Sequence, residues 1–162
     1  MALVWWRFPS LQASQRHELI RWWSRKMLDV MGLELRIDGE PVAGGSLLVS
    51  NHVSWLDITA LHAVVPHARF VSKADVARWP VLSHLSRAAN TLFLERERKR
   101  DALRVVHLVA QALGDGQTVA VFPEGTTSDG RTLLPFHANL LQAAVATGFA
   151  SASCRRRTRP RD

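Results

Sequence analysis

Short apolar runs with the pattern of β-strands alternate along the chain with longer helical segments, and this alternation restricts the fold more than any other feature. The strand-like runs are residues 33–38, 46–50, 69–72, 91–95 and 118–122, and the helical segments are 56–65, 81–89, 99–113 and 137–146. Strands that alternate with helices are typical of a domain with helices packed on a central sheet. We therefore predict an α/β fold, with a mixed sheet flanked by helices.

An amphipathic segment precedes these elements. The pattern predicts a helix over residues 11–31, with Ser10 as N-cap and Gly32 just beyond its end. Trp22 and Trp23 lie among arginines in this segment, which favours a helix at a membrane interface. A helix packed on its own domain, with the tryptophans in the core, is the alternative interpretation, and the sequence leaves both open. Residues 1–32 form the N-terminal region in either case.

The size and charge of the chain exclude several classes of protein. A chain of 162 residues fits one compact domain, and no apolar run approaches the roughly 18 residues of a membrane span. The lone Cys154 excludes an internal disulfide framework and fits a reducing compartment. The net charge is +7, of which the five arginines and one aspartate of residues 151–162 supply +4. The remaining +3 fits an anionic membrane surface and predicts no nucleic-acid partner.

The last residues, 149–162, break the strand–helix pattern. They show no periodicity and no apolar face, and we expect an irregular basic tail. A basic arm, a disordered end and a shifted reading frame that replaces the native continuation all explain such a tail. We favour the last, because the helix at 137–146 should lead into a buried strand and we identify none.

A first polar cluster, Asn51-His52-Val53-Ser54-Trp55-Leu56-Asp57, follows the strand at 46–50. Ligand sites in open α/β sheets lie at the carboxyl ends of strands. A neutral His52 there can take a proton from a hydroxyl, while Asp57 fixes its tautomer. Ser54 is a candidate helix cap or, alternatively, a nucleophile. A structural histidine beside a helix-start aspartate also gives this spacing, so the pair alone is a weak signal.

Two further clusters follow later strands. In Phe122-Pro123-Glu124-Gly125-Thr126-Thr127-Ser128, Gly125 permits close backbone approach and the hydroxyls can donate to anionic oxygens, although a polar turn has the same composition. Glu124 is a candidate ligand for a substrate hydroxyl or a cation. After the strand at 91–95, Arg96 could bind a phosphate, or it belongs to a solvated run of mixed charge. Because the clusters at 51–57 and 122–128 both follow strands, these two together predict one site.

These segments, in this order, resemble the glycerolipid acyltransferase family, whose members include the 1-acylglycerol-3-phosphate acyltransferases. The first cluster is similar to the family's first motif, His-x-x-x-x-Asp. The segment Phe93-Leu94-Glu95-Arg96 is similar to the second motif, although Asn90 replaces the usual glycine. Residues 122–128 are similar to the third motif. The resemblance extends over residues 33–148. A fourth motif, a strand containing Val-Pro, is expected soon after Gly148 and is absent, so the acyltransferase domain at 33–148 is expected to be incomplete.

The resemblance implies a glycerol-3-phosphate acyltransferase-like fold, with His52 and Asp57 as the catalytic pair. It implies substrate binding by Asn51, Lys73, Arg96, Glu124, Gly125, Thr126 and Thr127. The implied reaction moves a fatty acyl group from acyl-CoA or acyl carrier protein to the sn-2 hydroxyl of lysophosphatidate, at the cytoplasmic face of the membrane. No metal is implied, and no cofactor beyond the acyl donor. Hydroxyl or backbone donors near Thr126 would stabilise the oxyanion.

Other interpretations stay open at this point. The acceptor could be lyso-ornithine lipid or glycerol 3-phosphate, which the motifs do not distinguish. A thioesterase-like hydrolase would use the same base on water. A non-catalytic module could bind membrane or nucleic acid through the arginine tail, or the chain could be an inactive remnant that only binds membranes.

Overall fold

The computed structural model describes residues 10–41, 44–73, 92–94, 99–138, 141–142, 145 and 151–154. The described helices include α1 Ala13–Val30, α2 Leu56–Val64 and α3 Lys99–Gly114. The described strands are β1 Leu47–Ser50, β2 Arg69–Lys73, β3 Leu92–Leu94, β4 Val119–Val121 and β5 Ser151–Cys154. The described residues 138, 141, 142 and 145 are helical, in agreement with the helix predicted at 137–146. The helix predicted at 81–89 lies outside the described residues.

The five strands form one sheet in the order β3-β2-β4-β1-β5. Every described strand pair is parallel, so the α/β prediction is confirmed, and within the described residues the sheet is parallel where a mixed sheet was expected. The reason lies in the connections: α2 carries the chain from the end of β1 back to the start of β2. Such a helical crossover makes the next strand run in the same direction.

Apolar side chains alternate between the two faces of the central strands, and each face carries its own core. Leu47, Val119 and Val121 pack with the buried face of α3, which includes Val109 and Leu113. On the other face, Leu48 and Ala120 pack with residues that include Leu61 of α2, Val65 just after this helix, and Phe70 of β2. The sheet is therefore covered by α3 on one side and by α2 on the other.

The helix α1 begins and ends with recognisable backbone hydrogen bonds. Its N-cap is Gln12, whose N–H donates to Gln15 Oε1 at 3.0 Å, so the prediction of Ser10 as N-cap was wrong by two residues. At the other end Gly32, with φ +68°, occupies the position predicted for it. The N–H of Leu33 donates to the Leu28 carbonyl and that of Gly32 to Asp29, which together form a Schellman motif.

The two faces of α1 have different surroundings. Leu28 and Ser24 are buried where α1 packs against α2, in accordance with a helix held on its own domain. Trp22, by contrast, is 57% exposed, and it does not fill the core. Among the helices that the structure describes, none has the length and hydropathy required to cross a membrane.

Two expectations about strands were wrong. Residues 33–38 alternate in sequence, yet among them only Leu33 forms a bridge; Glu34 and Arg36 are exposed and pair with each other instead of facing a sheet. Conversely, Ser151–Cys154, inside the tail expected to be irregular, forms β5 and pairs in parallel with the whole of β1. Small residues give a four-residue strand no apolar signal, and its backbone bonds to β1 define it. The interpretation of 149–162 as a non-native continuation stays a prediction, and residues 155–162 lie outside the described part of the chain.

Candidate active site

The register between β1 and β4 brings the first and third polar clusters together. Val49 lies opposite Val121, so residues three positions beyond each, His52 and Glu124, leave the sheet side by side. The N–H of His52 donates to Glu124 Oε2 at 2.8 Å. The prediction that both clusters lie together at the carboxyl ends of the strands is confirmed for these two loops.

One carboxylate oxygen of Asp57 organises the loop after β1. Oδ2 accepts the N–H groups of Val53 at 2.7 Å and Ser54 at 2.8 Å, and it lies 3.0 Å from Nδ1 of His52. Asp57 is only 3% exposed and stands in the first turn of α2, where the helix dipole favours a negative charge. The predicted contact between the imidazole and the carboxylate is therefore confirmed.

This contact fixes the orientation of the His52 imidazole. An ionised carboxylate only accepts hydrogen bonds, so in the His52–Asp57 contact the Nδ1 atom carries the proton. In the neutral imidazole Nε2 then carries no proton and can accept one, which is the form required of a general base. The ring also stacks on Phe122, with centroids 4.0 Å apart and an interplanar angle of 17°. The His52 side chain keeps 18% of its surface exposed, so part of it remains accessible.

The turn after β4 holds the backbone of His52 and is closed by its own hydrogen bonds. The N–H of Ser128 donates to the His52 carbonyl at 2.8 Å. Gly125, at φ +70°, donates its N–H to the Phe122 carbonyl at 3.0 Å, which explains the glycine at this position. Thr126 and Thr127 are exposed on this turn. Their predicted contacts with substrate stay a prediction.

The remaining predicted residues have different positions. Asn51 directly precedes His52, and its Oδ1 is buried with no hydrogen-bond partner in the described part of the chain. Lys73 is the last residue of β2, at the same sheet edge. Arg96 lies outside the described residues. The N-cap of α2 is Trp55, which makes no side-chain cap bond, so the prediction of Ser54 as cap was one residue early; the Ser54 hydroxyl accepts the N–H of Leu56 at 3.2 Å.

Sequence reasoning missed the mutual support between the two loops. The motif at 122–128 predicts substrate binding, whereas its residues Ser128 and Phe122 contact the backbone and the ring of His52. His52 and Glu124 each lie three residues beyond a paired valine, Val49 and Val121. This equal spacing indicates their contact only once the register of the two strands is known. In the described ranges, no cluster of three or more His, Cys, Asp or Glu side chains is arranged to hold a metal ion.

Comparison with known proteins agrees with this geometry. A sequence model of the family described as Acyltransferase matches residues 29–154, which is more than half of the chain. The chain therefore belongs to the acyltransferase family. The matched segment includes His52, Asp57 and the 122–128 turn, and it ends at the last residue of β5.

The chain is similar to two kinds of curated relative. It is 42% identical over 137 residues to the lyso-ornithine lipid O-acyltransferase of Rhizobium meliloti, a match that covers 84% of this chain and 47% of the relative. It is 42% identical over 121 residues to the 1-acyl-sn-glycerol-3-phosphate acyltransferase of Neisseria gonorrhoeae, covering 75% of this chain and 47% of the relative. The chain spans about half the length of the curated relatives it matches.

A solved structure resembles the fold. The crystal structure of the 1-acyl-sn-glycerophosphate (LPA) acyltransferase PlsC from Thermotoga maritima superposes with a TM-score of 0.72 at 24% identity. The superposition covers 93% of this chain and 63% of that one. This likeness supports the α/β fold predicted from the sequence.

Proposed function

We propose that the chain transfers a fatty acyl group from a thioester donor to a hydroxyl of a lyso-lipid, with His52 as general base. The contact that supports this most directly is the 3.0 Å approach of Asp57 Oδ2 to Nδ1 of His52. It leaves Nε2 as the free acceptor on a ring that is still partly exposed. A thioester is already activated, so no covalent acyl-enzyme is required.

The proposed reaction has two steps. The Nε2 atom of His52 takes the proton of the acceptor hydroxyl while its oxygen attacks the thioester carbonyl carbon. The tetrahedral intermediate then collapses, the carbon–sulfur bond breaks, and the imidazolium returns the proton to the leaving thiolate. Asp57 stabilises the imidazolium between these steps. The exposed Thr126 and its neighbours are the proposed oxyanion donors, because they lie on the turn that holds the backbone of His52.

The acceptor we propose first is lysophosphatidate, acylated at its sn-2 hydroxyl to give phosphatidate. Similarity to 1-acyl-sn-glycerol-3-phosphate acyltransferases supports this choice. Lyso-ornithine lipid is the second candidate, because relatives with that printed name match over a larger share of the chain. The two acceptors differ in the headgroup, since only lysophosphatidate carries a phosphate monoester.

We propose acyl-CoA or acyl carrier protein as donor and the cytoplasmic face of a membrane as the site of action. The surface of α1 supports peripheral binding. Trp22 is exposed, and Arg25 and Lys26 are exposed on the same helix. An amphipathic ring beside cations suits the headgroup region of an anionic bilayer.

The function is tested by assaying the protein with a labelled acyl thioester in vesicles that contain either acceptor. Formation of labelled phosphatidate with lysophosphatidate is the expected result, and His52→Ala is expected to reduce it at least 10³-fold. Transfer to lyso-ornithine lipid alone would contradict the first acceptor and support the second. Release of free fatty acid at a rate that neither acceptor changes would support a hydrolase and overturn the acyltransferase proposal.

Arg96 gives a test of the acceptor headgroup that does not depend on His52. If its guanidinium binds the phosphate, Arg96→Ala raises the lysophosphatidate concentration needed for half-maximal rate and leaves kcat largely unchanged. An Arg98→Ala variant from the same charged run is the control, and its acceptor dependence should equal that of the wild type. Equal behaviour of the two variants would remove Arg96 from the site.

A further inference from the structure

Glu124 is a buried carboxylate whose two oxygens both bind the backbone of the chain. Only 4% of the surface of Glu124 is exposed to solvent. Oε2 accepts the N–H of His52 at 2.8 Å, and Oε1 accepts the N–H of Leu134 at 3.3 Å. A buried charge is costly unless it is hydrogen-bonded, and here two main-chain donors compensate it. This arrangement leaves a substrate hydroxyl little access to the carboxylate.

The same turn also holds the other polar group of the His52 backbone. The carbonyl oxygen of His52 accepts the N–H of Ser128 at 2.8 Å, and the Ser128 hydroxyl lies 3.4 Å from the same oxygen. Both hydrogen-bonding groups of the His52 main chain are thus bound by residues 124–128. Neither bond is part of the sheet, since β1 ends at Ser50 and β4 at Val121.

The orientation of the His52 ring depends on this main chain. Asp57 Oδ2 binds the ring at Nδ1 and also the N–H groups of Val53 and Ser54, the next two residues. A rotation of the peptide between Asn51 and His52 would move the ring and these N–H groups together relative to Asp57. Holding the His52 N–H is therefore a way to hold the ring against its partner.

We propose that Glu124 is a positioning residue, which fixes the backbone of His52 so that its imidazole keeps the Asp57 contact and presents Nε2 to the substrate. In this chain Glu124, the glutamate of the third motif, then acts by holding His52 and not by direct contact with the lyso-lipid acceptor. The inference rests on the proposed function for its kinetic test only. The geometry itself is tested without substrate.

The decisive variant is Glu124→Leu, which removes both carboxylate oxygens that accept main-chain hydrogen bonds and keeps a side chain of similar size. Glu124→Gln retains one oxygen, and that oxygen can still accept the His52 N–H, so this conservative variant should restore much of the function. Asp129→Leu is the matched control, because Asp129 is an exposed carboxylate of the same loop that binds the N–H of Arg131. The control should behave as the wild type.

In kinetics, Glu124→Leu is expected to lower kcat roughly 10- to 100-fold with the acceptor KM within about 2-fold of the wild type. Glu124→Gln should lose less than about 10-fold. An increase in the acceptor KM at unchanged kcat, in either variant, would overturn the proposal and make Glu124 a direct ligand.

The second readout is the proton NMR signal of the His52 Nδ1–H bonded to Asp57, recorded on the substrate-free protein. It should be present at low field in the wild type, in Glu124→Gln and in Asp129→Leu, and lost or shifted in a folded Glu124→Leu. Should Glu124→Leu not fold, exchange of the His52 amide with solvent decides the question in the wild type, where rapid exchange overturns the proposal. If the wild type transfers acyl groups to neither acceptor, the proposed function fails, while these signals still test the role of Glu124.

Discussion

The carboxylate of Asp57 contacts His52 through the same oxygen that accepts the N–H groups of Val53 and Ser54. The negative charge that orients the imidazole therefore also shapes the loop on which the imidazole is mounted. Orientation of the ring and closure of the loop are consequences of one side chain.

Replacement of this carboxylate by an amide should remove the proton-accepting form of His52. In Asp57→Asn the amide can direct its NH₂ group at Nδ1, which places the ring proton on Nε2 and leaves no base facing the substrate. We expect kcat to fall roughly 10³- to 10⁴-fold, as for a comparable change in a serine-protease triad. Steady-state kinetics together with a thermal melt measure this. Retention of more than a tenth of the wild-type kcat in a folded variant would contradict the assigned role.

Ser54 should be dispensable for chemistry. Its hydroxyl accepts the N–H of Leu56 at the start of α2, so Ser54→Ala should cost about 0.5–1.5 kcal/mol of stability and leave most of kcat. His52→Ala, assayed beside it, should be inactive at the same protein concentration. The comparison is made at a temperature where both variants are folded. A Ser54→Ala variant as inactive as His52→Ala would instead indicate a covalent acyl-serine intermediate.

Two glycines near the end of α3 should respond in opposite ways to the same substitution. A Cβ atom at Gly45 would lie 2.9 Å from the Leu113 carbonyl oxygen and 3.0 Å from Gly116 Cα, both main-chain atoms that cannot simply rotate away. Gly45→Ala is therefore expected to lower the free energy of unfolding by about 1–3 kcal/mol. At Gly114 the added atom meets nothing within 4 Å, so Gly114→Ala should be neutral or stabilising by up to about 1 kcal/mol. Urea denaturation of the two variants gives both values, and equal destabilisation would refute the packing at Gly45.

Acid should destabilise the fold through His62. Burial lowers the pKa of His62 from 6.5 to about 4, while its Nε2 donates to the Ala68 carbonyl at 3.3 Å. The unfolded chain binds this proton first as the pH falls. The neutral form thus contributes stability above pH 6.5, and this contribution is lost between pH 6.5 and about 4, at a cost of about 3 kcal/mol.

The measurement is the free energy of unfolding as a function of pH for the wild type and for His62→Gln, which does not titrate. The wild type should lose more stability than the variant between pH 7 and pH 4. Burial also lowers the pKa values of His17 and His67, whose rings lie 5.9 Å apart. Both histidines therefore also reduce stability as the pH falls, and they do so in the wild type and in His62→Gln alike. Parallel pH curves for the two proteins would show that His62 is not buried in its neutral form.

The sequence predicted well those features that have a strong local pattern. The runs that became β1 and β4 are largely apolar, and each of the three helices α1, α2 and α3 ends at or within two residues of a glycine or a proline. The His52–Asp57 contact was also predictable, since a residue at the end of a strand and one in the first turn of the following helix lie within reach of each other.

Features that depend on distant partners were not predictable. The strand β5 is built from Ser151, Ala152, Ser153 and Cys154, whose small side chains carry no strand signal; it is defined by its bonds to β1. The segment 33–38 alternates as a strand should, yet five of its six residues form no bridge. Likewise, the bond from His52 to Glu124 joins residues 72 positions apart and follows only from the register of β1 against β4.

That register makes the geometry of the candidate active site depend on correct folding of the sheet. Because side chains alternate in a strand, the smallest slip of β1 along β4 that keeps Leu47 and Leu48 on their own faces is two residues, or about 7 Å. A chain trapped in such a state would retain its helices, its apolar layers and a normal circular dichroism spectrum. It would nevertheless separate His52 from Glu124. The fraction of active molecules in a refolded sample would therefore equal the fraction whose sheet has the native register.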